Sequence, residues 1–135
     1  MKRYLLDTGI FSDFANRRRG VGVRVRAARQ QGAKIGTCLP VVGELYYGIE
    51  LSETKERNLK NIRQALSGVV LWPFNEAAAE QYGLIAADLR RRGITIQQID
   101  IQVAAIAATL GDCIVVSSDN DLLTISGLTV ENWAK

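Results

Sequence analysis

A chain of 135 residues with 47% hydrophobic content is long enough to bury one sizeable core and too apolar for disorder. It has no histidine and only two cysteines, which excludes histidine-based acid–base pairs, Ser-His-Asp triads and cysteine-rich zinc sites. Its net charge of +3, from 17 bases and 14 acids, suits a polyanionic partner, and any catalysis must lean on carboxylates with an oxygen-loving cation.

The opening "MKRYLLDTG" is basic but meets an acid after a very short apolar stretch, unlike a secretory signal. Without export, Cys38 and Cys113 are expected as reduced thiols packed in the core of a cytoplasmic protein. No apolar run approaches the roughly 18 residues of a membrane span. Arg3–Leu6 predicts a short strand, followed by a helix from near Thr8. "NRRRG" at Asn16–Gly20 reads as a solvated helix end, with contact to RNA phosphates as the alternative. Residues 21–31 predict a basic helix closed by Gly32 as a left-handed cap.

Lys34–Cys38 predicts a second strand, and Pro40 suits the first turn of the helix carrying "VVGELYYGIEL". Tyr46 and Tyr47 on that helix suit either the core or a binding surface. Residues 52–54 punctuate the chain before a polar helix to about Ser67. Residues 69–72 predict a third strand, ended by Pro73, and Asn75 caps a long alanine-rich helix that stops at "RRRG". "TIQQ", Thr95 to Gln98, has the spacing of a capping box for the next helix. That helix, "IDIQVAAIAATLG", is apolar almost all round and should be buried. Residues 114–117 predict a fourth strand, and "LTVENW" a short fifth.

Strands alternating with helices imply one α/β domain over residues 1–135, a three-layer α/β/α sandwich around a central parallel sheet. Ligands of such folds bind beyond the carboxyl ends of the strands, where strand order reverses. Asp7 follows the first strand, and Asp119 and Asp121 follow the fourth. Glu44 and Asp100 stand alone among apolar neighbours on their helices. Each acid also has a plain role: Asp7 and Asp100 as helix caps, Glu44 as a solvated side chain, and Asp119 and Asp121 as turn formers.

Five such placements at the expected ends of elements point to one site. Two carboxylates about 5 Å apart repel by roughly 3 kcal/mol at an effective dielectric near 20. Such a cluster must bind a cation or hold protons with raised pKa values. Oxygen ligands select Mg²⁺ or Mn²⁺, and such an ion stabilises the charge of phosphoryl chemistry. Gathering five acids leaves nine elsewhere against 17 bases, a surplus of eight positive charges over the rest of the molecule. A basic surface around an acidic metal pocket suits a nuclease.

The chain resembles the PIN-domain family, and within it the VapC-like ribonuclease toxins of type II toxin–antitoxin pairs. The likeness spans nearly the whole chain and rests on "LLDTGIFSDF", "VVGELYYGIELS", "IDIQVAAIAATLG", "VVSSDNDLL" and the closing "ISGLTVENW". It implies that Asp7, Glu44, Asp100 and Asp119 are the catalytic acids of an Mg²⁺- or Mn²⁺-dependent endoribonuclease. Asp7, Asp100, Asp119 and Asp121 are the implied metal ligands, with Glu44 and Asp100 also suited to orient water. Thr8 and Ser117 match hydrogen-bonding groups behind the ligands.

Gly9, Gln97, Gln98 and Leu122 depart from commoner family residues without removing a charge from the quartet. The implied partners are RNA, a VapB-like antitoxin and a second copy of the chain, with no membrane. Two other readings stand beside this one. They are a housekeeping PIN nuclease without antitoxin, and a catalytically idle module that binds RNA or protein. A phosphatase of the aspartate-nucleophile type fits less well, because "DTG" lacks a second aspartate two residues later.

Overall fold

The computed structural model describes residues 1–135 and orders five parallel strands as β3-β2-β1-β4-β5. The strands are β1 (Arg3–Leu6), β2 (Lys34–Cys38), β3 (Val70–Trp72), β4 (Cys113–Val116) and β5 (Thr129–Glu131). Between β1 and β2 lie α1 (Thr8–Ala15) and α2 (Val21–Gln30), and between β2 and β3 lie α3 (Leu39–Leu51) and α4 (Lys55–Leu66). The return from β3 to β4 passes through α5 (Glu76–Arg91) and α6 (Gln98–Leu110), and a 3-10 turn at Asn120–Thr124 leads into β5.

The chain steps outward from β1 to β3, then crosses back to β4 on the far side of β1. Right-handed crossovers therefore put α1 to α4 on one face and α5 and α6 on the other. The packing agrees, since α1 rests on α2, α3 and α4, while α5 lies along α6. Strand order reverses between β1 and β4, so the crevice of this sheet opens beyond Leu6 and Val116. Covered on both faces, the two central strands need continuous apolar runs. Leu5, Leu6, Val115 and Val116 are all fully buried.

Local chemistry explains most boundaries. Asn75 Oδ1 accepts from the Ala78 amide at 2.9 Å, capping α5 as the sequence predicts. Pro40 occupies the first turn of α3, and Gly32 and Gly93 adopt positive φ just past α2 and α5. Gly36 has a packing reason. A Cβ there would lie 2.6 Å from both the Val70 carbonyl oxygen and the Trp72 ring, so only glycine lets Trp72 lie across β2.

Two expectations change. The capping box at Thr95 does not form, because α6 begins only after Gln97, whose side chain makes no cap bond. Ile94 and Ile96 both pack against the core while Thr95 and Gln97 face out, and this alternation holds the segment extended. Tyr46 and Tyr47 are both exposed, Tyr47 at 66%, so neither serves the core. The thiols meet expectation: Cys38 is buried and Cys113 half-buried, and burial pushes them up to about 12 and about 11, which keeps them protonated. No helix is long and apolar enough to cross a membrane.

Candidate active site

Asp7 leaves β1 under restraint from both neighbouring strands. Its amide donates to the Val116 carbonyl of β4 at 3.0 Å. The carbonyl just before it, on Leu6, accepts a 2.7 Å hydrogen bond from the buried Thr37 hydroxyl of β2. Asp7 Oδ1 then accepts from the Ile10 amide at 2.9 Å and caps α1. The capping role weighed for this residue is real, and it occupies one carboxylate oxygen.

Asp119 is built the same way. Its Oδ1 accepts from the Asp121 amide at 2.9 Å and caps the 3-10 turn, while its own amide donates to Ser117 Oγ at 2.9 Å. Ser117 is buried at the end of β4, its amide bonded to the Glu131 carbonyl of β5 at 2.9 Å. Arg92, just past α5, supports the same loop by donating to the Thr124 carbonyl at 2.8 Å.

A crevice of about 250 Å³ gathers Asp7, Glu44, Asp100 and Asp119, with Thr8 and Ser118 at its wall. Glu44 arrives on α3 and Asp100 on the first turn of α6, two helices that touch at this edge of the sheet. Carboxylate oxygens of Asp100, Asp119 and Asp121 lie within 4.8 Å of one another. Asp7 and Glu44 face the same crevice from outside that tight trio, and Asp121 joins the trio without lining the crevice. Thr8 lines the crevice, and its hydroxyl makes no hydrogen bond within the protein, to a ligand acid or to any other group.

Electrostatics set these acids apart from ordinary surface carboxylates. Asp100 is buried, and its Oδ2 has no hydrogen-bond partner. Desolvation, with repulsion from Asp119, Asp7, Asp121 and Glu44, raises its pKa from 3.8 to about 6. The Asp7 carboxyl is also raised, chiefly by burial, although hydrogen bonds from Ser117 and Ile10 pull it part-way back. A buried carboxylate that keeps one oxygen without a donor and has two more carboxylates within 4.8 Å fits a hard divalent cation.

The raised pKa has a stability consequence. Asp100 binds its proton more tightly in the folded state, so its contribution to stability is full below its unfolded value of 3.8 and lost as pH rises through about 6. Metal-free protein should therefore melt a few degrees higher near pH 5 than near pH 7.5. Allowing for solvent screening at exposed Asp119 and Asp121, the gain is about 1 kcal/mol. Thermal melts in chelator at the two pH values check this. A lower melting temperature near pH 5 would contradict the strain assigned to Asp100.

Four residues that shape the site and its surroundings escaped sequence reasoning. Thr37 and Ser118 stand among strand-like and turn-like neighbours with no separate signal. Gln97 lines the crevice but reads from sequence as part of a helix cap. Asp13, buried on α1, holds Arg18 at 3.5 Å and Arg19 at 3.6 Å, a fold-back of the "RRR" segment that helical periodicity does not foretell.

A family model described as PIN domain matches residues 4–128 of this chain. The chain belongs to the PIN-domain family. It is 33% identical over 133 residues to "Ribonuclease VapC2" of Haemophilus influenzae, covering 98% of this chain and 99% of that one. It is 31% identical over 134 residues to "tRNA(fMet)-specific endonuclease VapC" of Shigella flexneri, covering 99% and 100%. Both likenesses place it among the VapC ribonucleases of that family.

The DNA-bound VapBC structure from Salmonella typhimurium superposes with a TM-score of 0.86 at 26% identity, over 99% of this chain and 100% of that one. VapBC2 from Rickettsia felis, bound to a promoter DNA fragment, matches the fold with a TM-score of 0.88 at 24% identity, over 97% and 98%. The expected fold, an α/β PIN architecture with a parallel sheet, is the one observed.

Proposed function

We propose that this chain is a divalent-metal-dependent endoribonuclease and the toxin of a toxin–antitoxin pair, with residues 1–135 forming a single catalytic unit. The observation that carries the chemistry is the trio Asp100, Asp119 and Asp121, together with the buried, unpartnered Oδ2 of Asp100. Asp7, Asp100, Asp119 and Asp121 would hold Mg²⁺ or Mn²⁺. A bound ion of that kind supplies Lewis-acid stabilisation of phosphodiester oxygens and lowers the pKa of water.

The protein's own groups do the rest. Thr37 and the β4 backbone fix Asp7, and Ser117 Oγ accepts from the Asp119 amide and holds the second acid. Glu44 makes no ion pair and no hydrogen bond, so its carboxylate is free to orient water and accept a proton from it. Thr8 stands beside it with an unused hydroxyl for the water or the RNA.

The partners follow from the relatives. The neighbours of known structure include VapBC complexes on DNA, so the proposed partner is a VapB-like antitoxin; a second copy of the chain is proposed beside it, as the family resemblance implies. The Shigella relative carries tRNA(fMet) in its name, which makes transfer RNA the first substrate to test.

Expression of the wild-type chain should arrest bacterial growth, and Asp7→Asn should abolish the arrest. Asparagine keeps the oxygen that caps α1 but removes the charge, so it separates ligand from cap. A folded Asp7→Asn protein that remains fully toxic would remove Asp7 from the site. Active wild type that never slows growth would leave the nuclease and discard the toxin role in favour of a housekeeping enzyme.

A further inference from the structure

Next to the acidic crevice lies a larger groove of about 710 Å³ over α1, α3 and α4. The two are continuous, because Thr8, Gly9 and Glu44 line both. Only three of the groove's 14 lining residues are hydrophobic. Its floor is neutral and hydrogen-bonding: Asn61 donates to Asn16 Oδ1 at 3.0 Å, and Asn16 donates to the Ser12 carbonyl at 3.0 Å. Its walls are cationic, with Arg57 on α4 and Arg18 after α1. Arg18 also lines a third depression of about 540 Å³, together with Arg17, Arg26 and Arg29 and no acid at all. Five arginines and one carboxylate, Glu44, thus border a path that starts at the catalytic acids.

The arginine loop is built, not frayed. Arg17 and Arg19 both have a φ of 57°, a left-handed conformation that residues with side chains adopt at a cost. Asp13 clamps Arg18 and Arg19, and the Arg19 carbonyl accepts from the Lys135 amide at 2.9 Å. The solvated helix end favoured from sequence is therefore a fixed turn. The side chains of Arg17, Arg26 and Arg57 take part in no ion pair and no hydrogen bond, so they present free charge.

We propose that this groove and the arginine depression beyond it carry the RNA strand flanking the cleaved bond, with Arg57, Arg18, Arg17 and Arg26 on its phosphates. This rests on the nuclease reading of the crevice and deepens it. A polar floor with free arginines suits a sugar–phosphate backbone better than the apolar side chains of a docked peptide. Gly48 lines the groove with open space where a Cβ would sit, so a side chain placed there would intrude on the strand without disturbing the core.

The test is fluorescence anisotropy with a labelled single-stranded RNA across a salt series, in Mg²⁺ and in an Asp119→Asn background so that the RNA survives. The path variant combines Arg17→Asn, Arg26→Gln and Arg57→Gln. The control removes the same charge elsewhere, with Lys34→Gln, Arg90→Gln and Arg91→Gln. The path variant should bind about ten-fold or more weakly and flatten the log–log salt slope by about 2, as expected for three lost phosphate contacts, while the control keeps its slope.

Gly48→Gln should weaken binding by a similar factor with no change in slope, which covers a path variant that fails to fold. Equal losses in the path and control variants, or full binding by the path variant and by Gly48→Gln, would overturn the proposal. So would retained RNA binding with lost binding of poly-L-glutamate, which would mark an acidic-protein dock. A parent protein that binds no RNA at all would instead bring down the nuclease reading, and this inference with it.

Discussion

Asp119→Asn should cut RNA cleavage by about a hundred-fold to a thousand-fold while the protein stays folded. The substitution preserves Oδ1, so the bond from the Asp121 amide and the 3-10 turn survive. What it removes is one negative charge from a trio within 4.8 Å. Several kcal/mol of transition-state stabilisation depend on a tightly held cation, and each 1.36 kcal/mol is a decade in rate. After burial, the Asp119 charge does most to raise the Asp100 pKa, so its neutralisation relieves repulsion. Metal-free Asp119→Asn should melt at the wild-type temperature or slightly higher. Cleavage assays paired with thermal melts check both halves. A large drop in melting temperature would make Asp119 a structural turn acid.

Asp100→Asn should be nearly as damaging to activity, and it separates metal binding from repulsion. Asp100 is buried, with Oδ2 unpartnered, so its carboxylate gains more from a cation than the exposed Asp121 does. Cleavage should fall by about a hundred-fold, and added Mg²⁺ or Mn²⁺ should no longer raise the melting temperature. The pH dependence of metal-free stability between about pH 5 and 7.5 should also shrink, because the group that titrates near 6 is gone. Undiminished stabilisation by metal in this variant would place the ion elsewhere.

Much of this site is legible in the sequence because the sheet is parallel and buried. Strands such as Arg3–Leu6 and Cys113–Val116 have nowhere to go but the core, so the first acid after each, Asp7 at once and Asp119 after two serines, comes out at the crevice beyond the strand ends. Glu44 and Asp100 are legible for a related reason, each being an isolated charge among apolar helical neighbours.

What escaped depends on tertiary contacts. Thr37 reads as one more strand residue until its hydroxyl is seen on the Leu6 carbonyl. Thr95 carries the right spacing for a helix cap, yet inward packing of Ile94 and Ile96 keeps its segment extended. Whether Asp121 reaches the other acids depends on the 3-10 turn, whose tighter winding keeps it beside Asp119. "NRRRG" looks like a solvated helix end because Asp13, its anchor, reads as an ordinary polar helical residue.

The most direct test of the central claim is cleavage of single-stranded RNA by purified protein before EDTA, in EDTA, and after excess Mg²⁺ or Mn²⁺ is restored. Asp119→Asn, purified in parallel, serves as the control for contaminating nuclease. If the acids of β1, α3, α6 and the loop after β4 form a metal-dependent nuclease site, wild-type cleavage should vanish in EDTA and return with either ion, while the variant stays inactive throughout. Wild-type cleavage that continues undiminished in EDTA, with the parallel variant silent, would contradict it.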